Sequence, residues 1–461
     1  MSFVSPLPSP SVVHRHRQSP WPAVPMAMAN KIVEEQFGAV LAKLRHVEEK
    51  EVISPDLLGA VLAESVHALA PVPPFRASIK DGYAVIASDG VGARRVIAAH
   101  TAKISEGRLA ENTMGTGECV RITTGAMVPR GADAIVQVED TRVLQHNEEE
   151  ELTVDIMKEP REGQDIRERG SDVAEGELLL GHGTVLNAAE IGAIALSGRK
   201  KVLIYERDVR VSVLSTGDEL VDFYASADDH SPPRHGAVTD TNRPVLLSLL
   251  RSNGFCPVDF GIVRDNLFAL IESVRKALTQ TNVLVVTGGV SMGEKDLLKE
   301  VLSDHLGLSI HFGRVFVKPG LPATFASGHL SASLPSDPPK FVFALPGNPI
   351  SAFVTAHLFA LPQLRRIAGM DSQWENARLR VKLAHPIGHL DSRPEYRRAR
   401  LVRLSSADGL PFAECVGGNQ CSSRLASALS ANILLELPPR DEKRETMSEG
   451  ETVTALIIGP L

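Results

Sequence analysis

Four stretches of this 461-residue chain place reactive side chains directly after an apolar run. Ser215-Thr216-Gly217-Asp218-Glu219 follows the run at 211–214, and Arg264-Asp265 follows 258–263. The longest stretch, from Thr287-Gly288-Gly289 through Ser291 and Gly293 to Asp296, follows 283–286, and Pro346-Gly347-Asn348-Pro349 follows 341–345. Gly288, Gly289 and Gly293 let the backbone approach a ligand closely, with donors at the next helix start facing an anion, which suggests a phosphate. Glu219, Asp265 and Asp296, if they converge, repel one another unless a hard cation such as Mg²⁺ lies among them. The residues alone therefore suggest a phosphorylated ligand with a divalent ion, and acids that merely cap helices are the alternative.

A second group is basic. Lys318 lies in Arg314-Val315-Phe316-Val317-Lys318-Pro319-Gly320-Leu321-Pro322, a turn stiffened by proline, where a compact ammonium can bind an oxyanion. Arg393-Pro394-Glu395-Tyr396 and Cys421-Ser422-Ser423-Arg424 add guanidinium and hydroxyl groups near strand ends, and the alternative for each is an ordinary surface pair.

The elements that must position these groups follow from periodicity. Val33, Phe37, Val40, Leu41 and Leu44 recur at helical spacing, and a second helix is expected over 56–65. The prolines at Pro71, Pro73 and Pro74 break helical structure, and strand-like, turn-rich sequence follows to about residue 164, with the acidic run 148–151 expected at a solvated hairpin tip. Asn187 is a good N-cap with Glu190 three residues on, and Gly198 a natural stop. From Val209 apolar runs alternate with helices, which predicts a parallel sheet covered on both faces, with ligands bound outside the carboxyl ends of its strands. Beyond Trp374 the pattern is again mostly strand.

Composition narrows the partners. A net charge of −7 offers no general attraction for nucleic acid or anionic lipid, so an anionic ligand must be held by local basic groups. The four cysteines show no CxxC spacing, which disfavours a zinc site or a disulfide framework and suits a reducing compartment. No apolar run approaches the roughly 18 residues of a membrane span. Residues 1–28 hold six prolines and no acid and are expected to be a disordered extension, the prolines arguing against an amphipathic targeting helix.

These residues resemble the molybdopterin molybdenumtransferase family, which takes in the E domain of gephyrin and the bacterial MoeA proteins. The likeness covers about residues 29–461. It is carried by Pro73-Pro74-Phe75-Arg76-Ala77-Ser78-Ile79-Lys80-Asp81-Gly82-Tyr83-Ala84-Val85, Thr123-Thr124-Gly125-Ala126, Gly131-Ala132-Asp133-Ala134, Gly163-Gln164-Asp165-Ile166-Arg167, the loops above and Lys318 to Pro322. It implies a multidomain α/β plus β fold: a discontinuous helical hinge domain (29–70 and 165–206), an inserted β domain (71–164), a three-layer α/β domain (207–371) and a C-terminal β domain (372–461). It also implies a cytoplasmic homodimer in which Asp81 reaches across the interface.

The reaction implied takes adenylylated molybdopterin and molybdate and yields molybdenum cofactor and AMP. The acids implied are Asp81, Asp172, Glu219, Asp265 and Asp296, with Mg²⁺ on Asp265 and Asp296. Lys318, Pro322, Arg393 and Ser422 face molybdate, and Thr124, Ser291, Pro346, Asn348 and Pro349 complete the ligand-binding set. Leu321 stands where many members carry a second lysine, although gephyrin has leucine there too. Gephyrin's adenylyltransferase domain has no counterpart in the sequence, so a separate adenylyltransferase is expected. Phe37 is the candidate counterpart of gephyrin's receptor-binding aromatic residue, with burial in the core as its other reading. A non-catalytic dimeric scaffold for protein partners and the adenylyltransferase activity itself are the competing functions.

Overall fold

The structure is a computed structural model that describes residues 21–98, 113–148, 150–206, 208–222, 236–290, 297–330, 336–403, 409–418 and 420–460. Ser291, Asp296 and most of the N-terminal extension lie outside the described residues. The chain forms two compact units, residues 49–203 and the remainder.

The larger unit is built on a mixed six-stranded sheet. Its strands are β1 (Arg210–Thr216), β2 (Cys256–Val263), β3 (Val283–Thr287), β4 (Ser309–Phe312), β5 (Thr324–Gly328) and β6 (Lys340–Leu345), in the order β2-β1-β3-β6-β5-β4. The first four in that order are parallel, as the alternation with helices predicts. At the other edge β5 pairs antiparallel with both β6 and β4, so the sheet is mixed where the alternation with helices predicts it parallel. All five residues of β3 are buried. Val283 and Val285 enter one core cluster, while Leu284 and Val286 enter another on the opposite face. Such two-sided burial needs apolar residues at both phases of the period-two repeat.

Helix α1 (Met26–Gly38) buries Ala29, Val33 and Phe37. The Phe37 ring is 0% exposed and stacks on Phe341 with centroids 3.9 Å apart. This helix packs into the core of the larger unit, and of the two readings of Phe37 the structure shows burial in the core. Helices α2 (Asn242–Ser252) and α3 (Leu267–Gln280) cover the sheet, and α3 is capped by Asn266, whose side chain accepts from Ala269 N at 3.1 Å. Helix α4 (Pro349–Thr355) starts at a proline, which suits the first helical turn, and runs through a π-helical turn at Ala356–Ala360.

His357 in that turn is 2% exposed, and neither ring nitrogen has a hydrogen-bond partner. A cavity of about 30 Å³ beside it has room for one water. Burial holds its pKa down at about 3, against 6.5 for a free imidazole.

The same unit ends in a closed barrel of β7 (Arg378–Leu383), β8 (Glu395–Arg403), β9 (Phe412–Cys415), β10 (Ile433–Leu437) and β11 (Thr452–Ile457), with Val381, Leu383, Ala399, Leu435 and Ala455 in its core. Closure leaves no strand edge unpaired.

The smaller unit contains a six-stranded sheet ordered Thr141–His146, Glu151–Ile156, Gly92–Ala98, Glu118–Ile122, Gly82–Val85 and Ala134–Gln137. The acidic run meets the hairpin formed by the first two of these strands. The helix Ala188–Leu196 has the expected box, with Asn187 N donating to Glu190 Oε2 at 2.9 Å. The helix expected over 56–65 is absent. A single 3-10 turn at Pro55–Leu57 gives way to extended chain that pairs with residues near 185, as in Gly59 N to Leu186 O at 2.7 Å. Among the described residues no helix is long and apolar enough to cross a membrane.

Two stability outcomes follow. Phe37→Ala is expected to destabilise the larger unit by about 3–5 kcal/mol in denaturant unfolding, since it removes a fully buried ring. Because the unfolded His357 binds a proton that the folded one refuses, stability should fall as pH drops from 6.5 towards 3. His357→Leu should remove that part of the slope, read as the melting temperature against pH, and an unchanged slope would contradict the assignment.

Candidate functional site

Two adjoining regions of the larger unit gather the expected residues. The first is the carboxyl edge of the parallel strands. Thr216, at the end of β1, donates its hydroxyl to Asp265 Oδ1 at 2.8 Å, and Asp265 N donates to Asp218 Oδ1 at 3.1 Å. Arg264 donates to the Asp218 carbonyl. Glu219 folds back so far over the loop that a side chain at Gly217 would touch its carboxylate. Gly288 has a φ of +91° and faces the Thr216 carbonyl so closely that no β-carbon fits. Its N–H donates to Leu345 O at 3.1 Å, joining β3's loop to the Pro346-Gly347-Asn348-Pro349 turn. Gly347 O in turn accepts from Asn242 Nδ2 at 2.8 Å. Glu219 and Asp265 thus share one edge with the glycine loop, as the strand-end reading predicts.

The second region is a cleft of about 740 Å³ whose lining includes Lys318, Pro322, Asn348, Arg393, Arg397 and Ser422. Asn348 Nδ2 donates to Ser422 Oγ at 3.2 Å, and Ile350 N donates to Ser422 O at 3.0 Å, so the serine is pinned to the start of α4. The Lys318 backbone is stitched to the barrel: its N–H donates to Pro394 O at 2.9 Å, and its carbonyl accepts from Tyr396 N at 2.7 Å. The turn after it depends on Gly320, at φ +119°, where a side chain would collide with Thr355.

Electrostatics in the cleft are set by paired charges. Lys318 Nζ lies 3.2 Å from Asp391 Oδ2 and 3.4 Å from Glu395 Oε1. Arg393 clamps Asp391 with Nε at 2.9 Å and a terminal nitrogen at 3.2 Å. Hydrogen bonds from Arg393, joined by the neighbouring Lys318 ammonium, hold the Asp391 carboxyl well below the usual carboxylate range. Arg397 donates from a terminal nitrogen to Glu395 Oε2 at 3.1 Å and to His389 O at 2.8 Å. Its Nε is also 3.1 Å from Glu395 Oε1, but off the hydrogen-bonding direction, so we count that contact as an ion pair only.

The sequence reading missed Asp391 as a candidate, and it gave Glu395 and Arg397 no role. A signal was present: acid and base alternate every second residue in Asp391-Ser392-Arg393-Pro394-Glu395-Tyr396-Arg397, which puts all four on one side of an extended segment.

In the smaller unit, Asp81 accepts from Thr124 N at 2.6 Å and from its hydroxyl at 3.1 Å, and these bonds lower its pKa. Asp172 is ion-paired with Arg167, whose Nε donates at 2.9 Å. Both acids assigned to this unit accept from local donors, and Thr124 is the donor to Asp81.

Comparison with known proteins bears on this arrangement. Family models for the MoeA N-terminal region (domains I and II), a probable molybdopterin binding domain and the MoeA C-terminal region (domain IV) match residues 25–198, 212–366 and 380–458. The gephyrin of Dictyostelium discoideum is 34% identical over 96% of this chain, which spans 64% of that protein. The molybdenum cofactor synthesis protein cinnamon of Drosophila melanogaster is 36% identical over 96% of the chain and 67% of its own length. The molybdopterin molybdenumtransferase of a Nostoc species is 33% identical over 90% of the chain and 91% of its own. A crystal structure of the molybdopterin biosynthesis MoeA protein of Pyrococcus horikosii superposes with a TM-score of 0.72 at 25% identity, covering 95% of this chain and 100% of that one. With the three domain types in family order and the basic cleft lying against the glycine-rich sheet edge, the chain belongs to the molybdopterin molybdenumtransferase family.

Proposed function

We propose that this protein is a molybdopterin molybdenumtransferase, which inserts molybdate into adenylylated molybdopterin and releases AMP as molybdenum cofactor forms. The reading is supported above all by the cleft in which Lys318, Arg393, Asn348 and Ser422 face one space beside a sheet edge built for phosphate.

Molybdate is a tetrahedral dianion, and it needs positive charge together with directed donors. Lys318 supplies a compact ammonium, Arg393 a guanidinium edge, and Ser422 and Asn348 neutral donors already aligned by their mutual hydrogen bond. Pro322 shapes the wall above Lys318. On the other side the Gly288-Gly289 loop exposes backbone close to the strand ends, which suits the phosphates of the adenylyl group, and Ser291, Pro346 and Pro349 are assigned to that side.

Asp265 keeps Oδ2 without a hydrogen bond among the described residues, while Oδ1 is held by Thr216. That single oriented carboxylate fits Mg²⁺, which commonly takes one or two carboxylates plus substrate phosphates and water. With Asp296 it would hold the ion, which when bound offsets the charge developing on the pyrophosphate. Glu219, Asp81 and Asp172 complete the required acids. We place a homodimer in the cytoplasm, where reduced thiols such as Cys119 and Cys415 persist. Exposed Ile53, Leu58, Leu69 and Leu196 on the smaller unit support self-association.

Purified protein given adenylylated molybdopterin, Mg²⁺ and molybdate should release AMP and reconstitute an apo molybdoenzyme. Asp296→Ala should stop AMP release while sedimenting as a dimer, like the wild type. Full activity in that variant, or no AMP from the wild type, would overturn the reading.

A further inference from the structure

The segment that lines the oxyanion cleft carries its charges in an order that a simple anion pocket does not need. Asp391, Arg393, Glu395 and Arg397 alternate in sign, and Lys318 lies beside them through a parallel backbone bridge to Glu395. Three cations and two carboxylates thus form one continuous ladder, Arg393 to Asp391 to Lys318 to Glu395 to Arg397. Glu395 is the buried rung, its side chain 1% exposed; Asp391 and Arg397 are 18% and 17% exposed, and Lys318 34%. The ladder carries one net positive charge.

Lysine and arginine side chains are long and lose much rotamer freedom when fixed. Here that freedom is already gone before any anion arrives. Glu395 cannot turn away, because its backbone pairs with Leu437 on one side and Lys318 on the other. Its Oε1 lies between the Lys318 ammonium and the Arg397 guanidinium, and Oε2 accepts from Arg397, so it sets the separation between the two cations. Asp391 does the same between Lys318 and Arg393.

We propose, building on the oxyanion-cleft reading above, that Asp391 and Glu395 are positioning residues that hold Lys318, Arg393 and Arg397 as a preset fork, with Arg397 its third cation, whose single residual positive charge suits a tetrahedral dianion. Positioning and plain electrostatics differ in sign. Removing an acid raises the positive charge of the cleft, so if the acids only offset charge, their loss would tighten the anion. If they position the fork, their loss weakens it.

The test uses the full-length protein and molybdate alone as the probe, with equilibrium binding measured directly and turnover measured in parallel. Glu395→Gln, Asp391→Asn and Arg397→Met are each expected to raise the molybdate Kd at least roughly tenfold, the size of losing one charge-assisted contact. In the two acid variants the loss should fall on the half-saturating molybdate concentration and leave kcat at saturation largely intact, a split that general unfolding would not produce. Asp391 is less buried than Glu395, so its variant keeps the test alive if Glu395→Gln does not fold. Unchanged or tighter molybdate binding in both acid variants would overturn the positioning role, and unchanged binding in Arg397→Met would overturn the third cation. Lys318→Ala separates the two levels: if it binds molybdate normally, the oxyanion cleft itself is wrong. If it binds weakly while the acid variants bind normally, only the positioning role fails.

Discussion

The burial of the central sheet on both faces constrains everything else in the larger unit. Val283 and Val285 on one side and Leu284 and Val286 on the other leave no face of β3 for polar chemistry. Reactive groups are therefore confined to the loops at the strand ends, and the parallel strands bring several such loops to the same edge. The hydrogen bonds that join these loops, Thr216 to Asp265 and Gly288 to Leu345, are consequences of that confinement. They turn separate turns into one rigid rim.

The described part of that rim is predominantly acidic in its chemistry, and the two anions of the proposed reaction need a source of positive charge. The barrel provides it. Strand β8 is buried on its barrel side through residues such as Ala399, while Glu395 and Arg397 at its start, and Arg393 in the bend before it, line the cleft with Lys318. Lys318 without those neighbours would be a weak and mobile charge. Its backbone bonds to Pro394 and Tyr396 make it part of the barrel in practice, so the basic half of the site has the stiffness of a sheet.

What could be read from the sequence divides along the range of the interactions. The Asn187 and Glu190 box is a local exchange of hydrogen bonds and is fully written in the adjacent residues. The α/β alternation is also legible, because two-sided burial imposes unbroken apolar runs whatever their partners are. Strand direction is a different matter: β4 and β5 run antiparallel, and their composition does not encode that. Residues 56–65 look helical by pattern, but backbone pairing with the chain near residue 185 prevails over weak local propensity. In the site, Lys318, Asn348, Arg393 and Ser422 were readable as chemistry on stiff turns. Glu395 was not, since alternating charges on a strand resemble a solvated face until Lys318, distant in sequence, is laid against it.

The two halves of the site are also mechanically continuous. Ser422 holds Asn348, Asn348 opens α4, Gly347 accepts from Asn242, and Gly288 sits against both Leu345 and Thr216, which in turn holds Asp265. At Gly288 the path is tightly packed, with no space even for a methyl group. These contacts form one continuous path from the basic cleft to the acidic rim. For the reaction proposed above, which brings an oxyanion and a nucleotide-linked pterin to adjoining sites, that path would give the chain a physical means of coupling the two.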